Sequence, residues 1–202
     1  MIVEEYVQNA LVTESADKAP ILNRMDHQYR LVHIALGLSS ELSELVSMLT
    51  SGQVDDINLA EELGDIFWYC AISVDVLGVG SGEVFSFATD AERSRRLSTL
   101  QRGSPILPRL IYDLTIYVGE LSDLVKKHVF YGKLIDVEHY VNSLACIVHT
   151  SEHILHVFGI TAQDAMDRNI AKLRSRYGEK FTEAKALERN LDLERTILEG
   201  RN

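Results

Sequence analysis

Two acidic pairs carry the chemistry within reach of this 202-residue sequence, Glu41-Leu-Ser-Glu44 and Glu62-Leu-Gly-Asp65. On a helix, residues three apart are neighbours, roughly 5–6 Å between their β-carbons. At about 100° per residue, Glu41 falls at the flank of the apolar stripe Leu38/Leu42/Leu45, with Glu44 further round on the same side. Glu62 and Asp65 repeat that placement beside Leu59/Leu63/Ile66. If the two helices pair antiparallel through their stripes, the four carboxylates converge beside the seam. Carboxylates crowded into one cleft must be neutralised, by raised pKa values or by a cation. A donor set of oxygens, with no Cys or His among them, selects a hard divalent ion, Mg²⁺ with Mn²⁺ as a plausible substitute. Mg²⁺ keeps waters and takes substrate phosphates as further ligands, which makes phosphoryl transfer the reaction class. One E-x-x-E alone is ordinary on a solvated helix face; two on successive helices at the core boundary are less so. Glu61 points about 180° away from the stripe and reads as surface charge.

The elements that must position these groups are helical throughout. Leu31, Ile34, Ala35, Leu38, Leu42, Leu45, Val46 and Leu49 recur in steps of three and four, and a second stripe runs from Leu59 to Leu77 and stops at Gly78. Residues 78–108, rich in Gly, Ser and Arg, read as a long connection with a short helix near Glu83–Arg93. Helical periodicity returns from Arg109 to about Phe130 and from Asp136 to Phe158. Thr161 is the expected N-cap of a helix ending near Gly178, and Thr182–Leu198 reads as a charged, peripheral helix. Strand-type alternation is absent, so the expected fold class is all-α.

The chain also matches itself. Ser39–Val46 (SSELSELV) aligns with Val118–Val125 (VGELSDLV) at an offset of 79, and Val76-Leu-Gly-Val79 with Val157-Phe-Gly-Ile160 at an offset of 81. Two helical hairpins with similar first helices point to an internal duplication packed as a pseudo-twofold bundle. The expected organisation is one domain: residues 1–78 carry the carboxylates, 79–108 connect, and 109–202 form the second half.

Composition narrows the function classes. The formal net charge is −10, and residues 1–100 hold 16 Asp/Glu against 6 Lys/Arg. That balance argues against a nucleic-acid partner, whose binding rests on basic groups neutralising phosphates. Mean hydropathy is −0.01, and no apolar run reaches the roughly 20 residues of a bilayer span, so no membrane partner is expected. The acidic start is unlike a signal or transit peptide. Cys70 and Cys146 lie in apolar periodic segments and read as buried thiols of a reducing compartment, which places the protein in cytoplasm.

Around the acidic pairs the sequence reads His33-Ile-Ala-Leu-Gly37-Leu-Ser-Ser-Glu41-Leu-Ser-Glu44, then Glu61-Glu62-Leu-Gly-Asp65-Ile-Phe-Trp68-Tyr69. This resembles the signature of the MazG-like all-α nucleoside triphosphate pyrophosphohydrolases, E-x-x-E, a spacer, then E-x-x-D. Glu5-Tyr6-x-x-x-Ala10 looks like that family's first helix, and Asn169-Ile-Ala-Lys172-Leu-Arg-x-Arg176-Tyr177 like its closing N-x-x-K helix. Compact relatives follow E-x-x-E with Lys-Lys-His-x-Phe-x-Gly; here that phrase is Lys126-Lys127-His128-Val-Phe130-Tyr-Gly132, in the second half. The second half keeps Glu120 and Asp123 but has Ser143 and Cys146 where Glu62 and Asp65 would fall. The resemblance therefore implies a duplicated unit with a degenerate second copy, as in the related dimeric dUTPases.

What the resemblance implies further is a mechanism. Glu41, Glu44, Glu62 and Asp65 would hold two or more Mg²⁺ ions, and activated water would attack the α-phosphorus of a nucleoside triphosphate to give monophosphate and pyrophosphate. Asn169, Lys172 and Arg176 share a helix flank and would meet the phosphates; Tyr69, one turn after Asp65, could donate to a phosphate oxygen. Lys127 and His33 belong with the expected substrate-binding residues. Trp68 is open between stacking on a base and packing inside the protein. A deoxynucleoside triphosphate is expected, dGTP ahead of dUTP or dCTP, in a homodimer or higher homo-oligomer that cleans or shapes the nucleotide pool, in host cytoplasm if the chain is phage-encoded. The competing readings are a phosphatase releasing orthophosphate and a non-catalytic nucleotide- or metal-binding module. His149, His153 and His156 read as a polar helix face.

Overall fold

The computed structural model describes residues 2–14, 27–87, 105–177 and 190–200. Among these described residues eight helices follow in chain order: α1 (Val3–Thr13), α2 (His27–Thr50), α3 (Asp56–Leu77), α4 (Ser81–Val84), α5 (Ile106–Tyr131), α6 (Val137–Val157), α7 (Ala162–Tyr177) and α8 (Leu191–Leu198). No strand occurs among the described residues, so the protein is all-α.

Helix α3 organises the rest. Its buried residues lie all round the helix, from Leu59, Leu63 and Ile66 to Ala60, Phe67, Trp68 and Ala71, the pattern of a helix enclosed by neighbours. Those neighbours are α1, α2, α4, α6 and α7. Asp55 caps its N-terminus by accepting from the Ile57 amide at 2.8 Å, and left-handed Gly78 ends it at φ 65°. Helix α2 lies antiparallel to α3: His27, at its start, sits 2.8 Å from the carbonyl of Val76, at the end of α3. Arg30 reinforces that end, reaching Glu14 after α1 at 2.6–2.8 Å and Asp75 at 2.7 Å. By length and composition alone α2 is long and apolar enough to cross a bilayer. Here its stripe of Leu31, Ile34, Leu38, Leu42 and Leu45 is buried in the core instead.

Helices α5 and α6 form a second hairpin. Residues 132–136 join them as residues 51–55 join α2 and α3. Asp136 caps α6 on the His139 amide at 3.0 Å, as Asp55 caps α3, and left-handed Gly159 follows α6 as Gly78 follows α3. Helix α2 packs on α5 and α3 on α6. Helix α7 is capped by Thr161, whose Oγ accepts from the Asp164 amide at 3.0 Å; it closes over α3 and α1.

Several boundaries differ from expectation. The connection is interrupted by α4, held by Phe85 and Phe87 packing on Phe67, while residues 85–87 are not helical and 88–104 lie outside the described residues. Helix α5 starts at Ile106, ahead of Pro108, because proline is tolerated in a first turn. Helix α8 is not peripheral: it packs on α7 and buries Glu194 and Leu198. Residues 182–189 of that predicted helix lie outside the described residues. Cys70 is buried, but Cys146 is half-exposed with Tyr117 as its hydrogen-bond partner. On the His149/His153/His156 face, Glu152 is fully buried and His156 nearly so, while the His149 side chain stays 41% exposed.

One glycine fixes how closely α2 and α3 approach. A β-carbon at Gly37 would collide with the ring of Tyr69. Gly37→Ala is expected to push that ring aside and cost about 1–3 kcal/mol, the usual penalty of overpacking. Urea denaturation measures it; a variant as stable as the parent would show that the ring has room to move.

Candidate metal centre and adjoining cavity

The site is built on the facing flanks of α2 and α3. Carboxylate oxygens of Glu41, Glu62 and Asp65 lie within 4.8 Å of one another, the one such group among the described residues. Glu41 and Glu62 hydrogen-bond to each other, so one must carry a proton. Burial, aided by the charge of Asp65, pushes Glu41 up to about 7. Burial and the bond to Glu41 push Glu62 up to about 9. Glu44 stands apart from this triad: it is exposed one turn further along α2 and reaches only the rim of the acidic cavity.

Asp65 is held from α7. Asn169 donates to one of its oxygens at 2.5 Å and Lys172 to the other at 2.6 Å. Lys172 is 1% exposed. Burial pulls its pKa down, but Asp65 and Glu61 outweigh that and raise it, so the ammonium stays charged. Its second partner is Glu61, at 3.2 Å, which corrects the reading of Glu61 as surface charge. Behind Asn169, the Tyr6 hydroxyl donates to the Gly64 carbonyl at 3.2 Å and lies 3.4 Å from the Asn169 carbonyl oxygen. Gly64 lets α7 approach α3 closely, because a β-carbon there would meet the Ala165 carbonyl at 3.0 Å. Tyr6 and Glu61 were not among the predicted site residues, although the Tyr6 motif was visible beside the family-like first helix.

Two cavities meet at the triad. An acidic one of about 280 Å³ is lined by Glu41, Glu44, Asn58, Glu61, Glu62, Asp65 and Arg176. The other, about 180 Å³, shares Glu41, Asp65 and Arg176 and is walled by Thr13, His33, Trp68, Tyr69, Leu173 and Tyr177. Its aromatic wall is pre-set: Trp68 Nε1 donates to Thr13 Oγ1 at 2.9 Å, and the His33 ring meets Trp68 and Tyr69 edge-on. Trp68 thus packs inside the protein and lines the cavity. Burial lowers the pKa of His33, leaving the imidazole neutral near pH 7. Burial, with Glu41 and Asp65 nearby, raises that of Tyr69, so its hydroxyl remains a donor. Arg176 does not extend freely towards the acids; Glu194 of α8 takes its guanidinium.

Models of known families, curated proteins and solved structures were compared with the chain, and none matches.

Lys127 is not brought to either cavity. It pairs, like Lys126, with Asp123 on its own helix, and the two ammonium groups hold the Asp123 carboxyl down at about 2. Glu120 lies 3.8 Å from His139, and Ser143 is buried. No second carboxylate triad assembles in that half among the described residues.

The shared proton has a consequence for stability. Without divalent cations, the folded protein keeps protons on Glu41 and Glu62 that the unfolded chain releases near the ordinary value of 4.5. Folding therefore binds protons in this range, and stability must fall as pH rises from about 5 through 7 to 9. The melting temperature in EDTA should decline across that window, and Glu62→Gln should flatten the decline. A level profile for the parent protein would rule out the raised carboxyls.

Proposed function

We propose that this chain is a Mg²⁺-dependent nucleotide diphosphohydrolase, cleaving deoxynucleoside triphosphates to monophosphate and pyrophosphate. The observation that carries this reading is the convergence of Glu41, Glu62 and Asp65 oxygens on the wall of an aromatic cavity. The donor set fits a hard divalent ion: the oxygens come from two helices, lie within 4.8 Å, and repel one another strongly enough to retain a proton. Three protein oxygens leave positions for waters and phosphate, as Mg²⁺ requires. Such an ion supplies charge neutralisation on the phosphates and a water of lowered pKa.

The remaining roles fall to the chain's own groups. His33, Trp68 and Tyr69 offer faces and edges for a planar base, and the Tyr69 hydroxyl is a donor on the aromatic cavity. Lys172 and Asn169 are committed to Asp65, which makes them its orienting partners rather than phosphate ligands. Glu44 at the rim is placed to join when a substrate-borne ion arrives. The equal connections, paired Asp caps and matching glycines of the two hairpins support an internal duplication with a degenerate second copy of the MazG-like unit. Self-association finds support in the exposed Leu36 of α2 and Tyr112 and Ile116 of α5; sedimentation tests it.

One observation favours a second reading. Both Asp65 oxygens are satisfied by protein donors, and Glu41 and Glu62 satisfy each other. A closed polar network of this kind also suits a non-catalytic nucleotide-binding module. Incubation with each triphosphate and Mg²⁺, followed by identification of the phosphorus products, separates the readings. Pyrophosphate supports the diphosphohydrolase, orthophosphate a phosphatase, and no turnover the binding module.

A further inference from the structure

Among the described residues lining the two cavities Arg176 is the only Lys or Arg, and it belongs to the wall that they share with Glu41 and Asp65. Lys172 is already committed to Asp65 and Glu61. A phosphate chain passing the triad would therefore meet one guanidinium. That guanidinium is fixed: Nε donates to Glu194 Oε1 at 2.9 Å and Nη2 to Oε2 at 2.6 Å, a bidentate pair with both side chains largely buried. Two of its five N–H groups are used by this pair and Tyr177 takes a further hydrogen bond, so the fork still keeps donors for an anion.

Glu194 is itself held in place. It sits on α8, and the next residue, Arg195, ties that helix to the start of α3, donating to Asn58 at 2.7 Å and pairing with Asp55 at 2.8 Å. Asn58 lines the acidic cavity and Asp55 caps α3. The helix that presents Glu194 is thus pinned to the helix that presents Glu62 and Asp65.

We infer that Glu194 is a positioning residue for the polyphosphate tail, setting the orientation in which Arg176 grips it. This rests on the diphosphohydrolase reading for its substrate class. Glu194 touches no reacting atom; it acts through Arg176, whose planar fork would otherwise sample many rotamers and lose its bidentate geometry.

The test is a kinetic split with a binding measurement beside it. In Mg²⁺-dependent turnover, Glu194→Gln is expected to raise KM about 10-fold, the range seen when an orienting partner is lost, while kcat changes far less. Arg176→Ala should raise KM at least as much, and adding Glu194→Gln to it should change nothing more. Arg176→Lys, which keeps the charge without the fork, should resemble Arg176→Ala. A tie that serves stability alone would instead lower the melting temperature and leave KM unmoved, and that result overturns the inference. Calorimetric titration with inorganic triphosphate and Mg²⁺ reads the same contact without turnover. If the parent protein hydrolyses no nucleotide, yet Glu194→Gln weakens triphosphate binding, the functional reading fails and the role of Glu194 stands. If the parent releases pyrophosphate and Glu194→Gln matches it in KM and in triphosphate affinity, the reverse holds.

Discussion

Asp65→Ala is expected to reduce Mg²⁺-dependent pyrophosphate release to the background rate, and Glu41→Ala to do the same, while far-UV circular dichroism stays helical. Asp65 supplies one of only three converging oxygens, and both cavities open onto it. Losing a single preorganised electrostatic contact costs about 10²–10³ in rate; a shared ligand for the ion and anchor for two α7 donors should cost more. The helices should survive, because α3 is held by its apolar circumference rather than by this carboxylate. Asp65→Asn separates two components of the loss, since the amide keeps an acceptor for one α7 donor without the charge. Full activity in Asp65→Ala or Glu41→Ala would remove the metal centre from the protein.

Lys172→Ala should carry the largest stability effect as well as a severe loss of turnover. The ammonium is 1% exposed and lies between Asp65 and Glu61, with Glu41 and Glu62 close behind. Removing it leaves an uncompensated anionic cluster on the edge of the core. Breaking a buried pair in this way costs about 3–5 kcal/mol. The lower end applies here, because the Asp65 and Glu61 side chains keep 21% and 20% exposure and remain partly solvated. The sign of the rescue is specific: Mg²⁺ should raise the urea midpoint of Lys172→Ala more than that of the parent, since the ion replaces the missing positive charge. A variant equal to the parent in midpoint and rate would demote Lys172 to an incidental neighbour.

Much of the architecture was legible along the chain. The stripes of α2 and α3, the Thr161 cap and the Gly78 stop all arise within a few residues of one another. Helical period and capping chemistry act over that range. The placement of Glu41, Glu62 and Asp65 beside the seam was readable for the same reason, since two positions three apart on one helix have a fixed relative direction. Glu44 shows the limit of that argument: the wheel put it on the correct side of α2, but one turn along the axis took it to the rim.

The long helices and the faces they bury could be read along the chain, because each depends on neighbours within two turns. Which groups answer the acids was settled by packing between helices. It brought Lys172 and Asn169 from α7 onto Asp65 and Glu61, set Tyr6 behind Asn169, turned Arg176 towards Glu194, and left Lys127 with Asp123 on its own helix. Apart from Lys127 and Asp123 on one helix, the partners in these contacts stand 18 to 163 residues apart and share no local period. Their meeting is fixed by which helix faces pack together, a property of the assembled core.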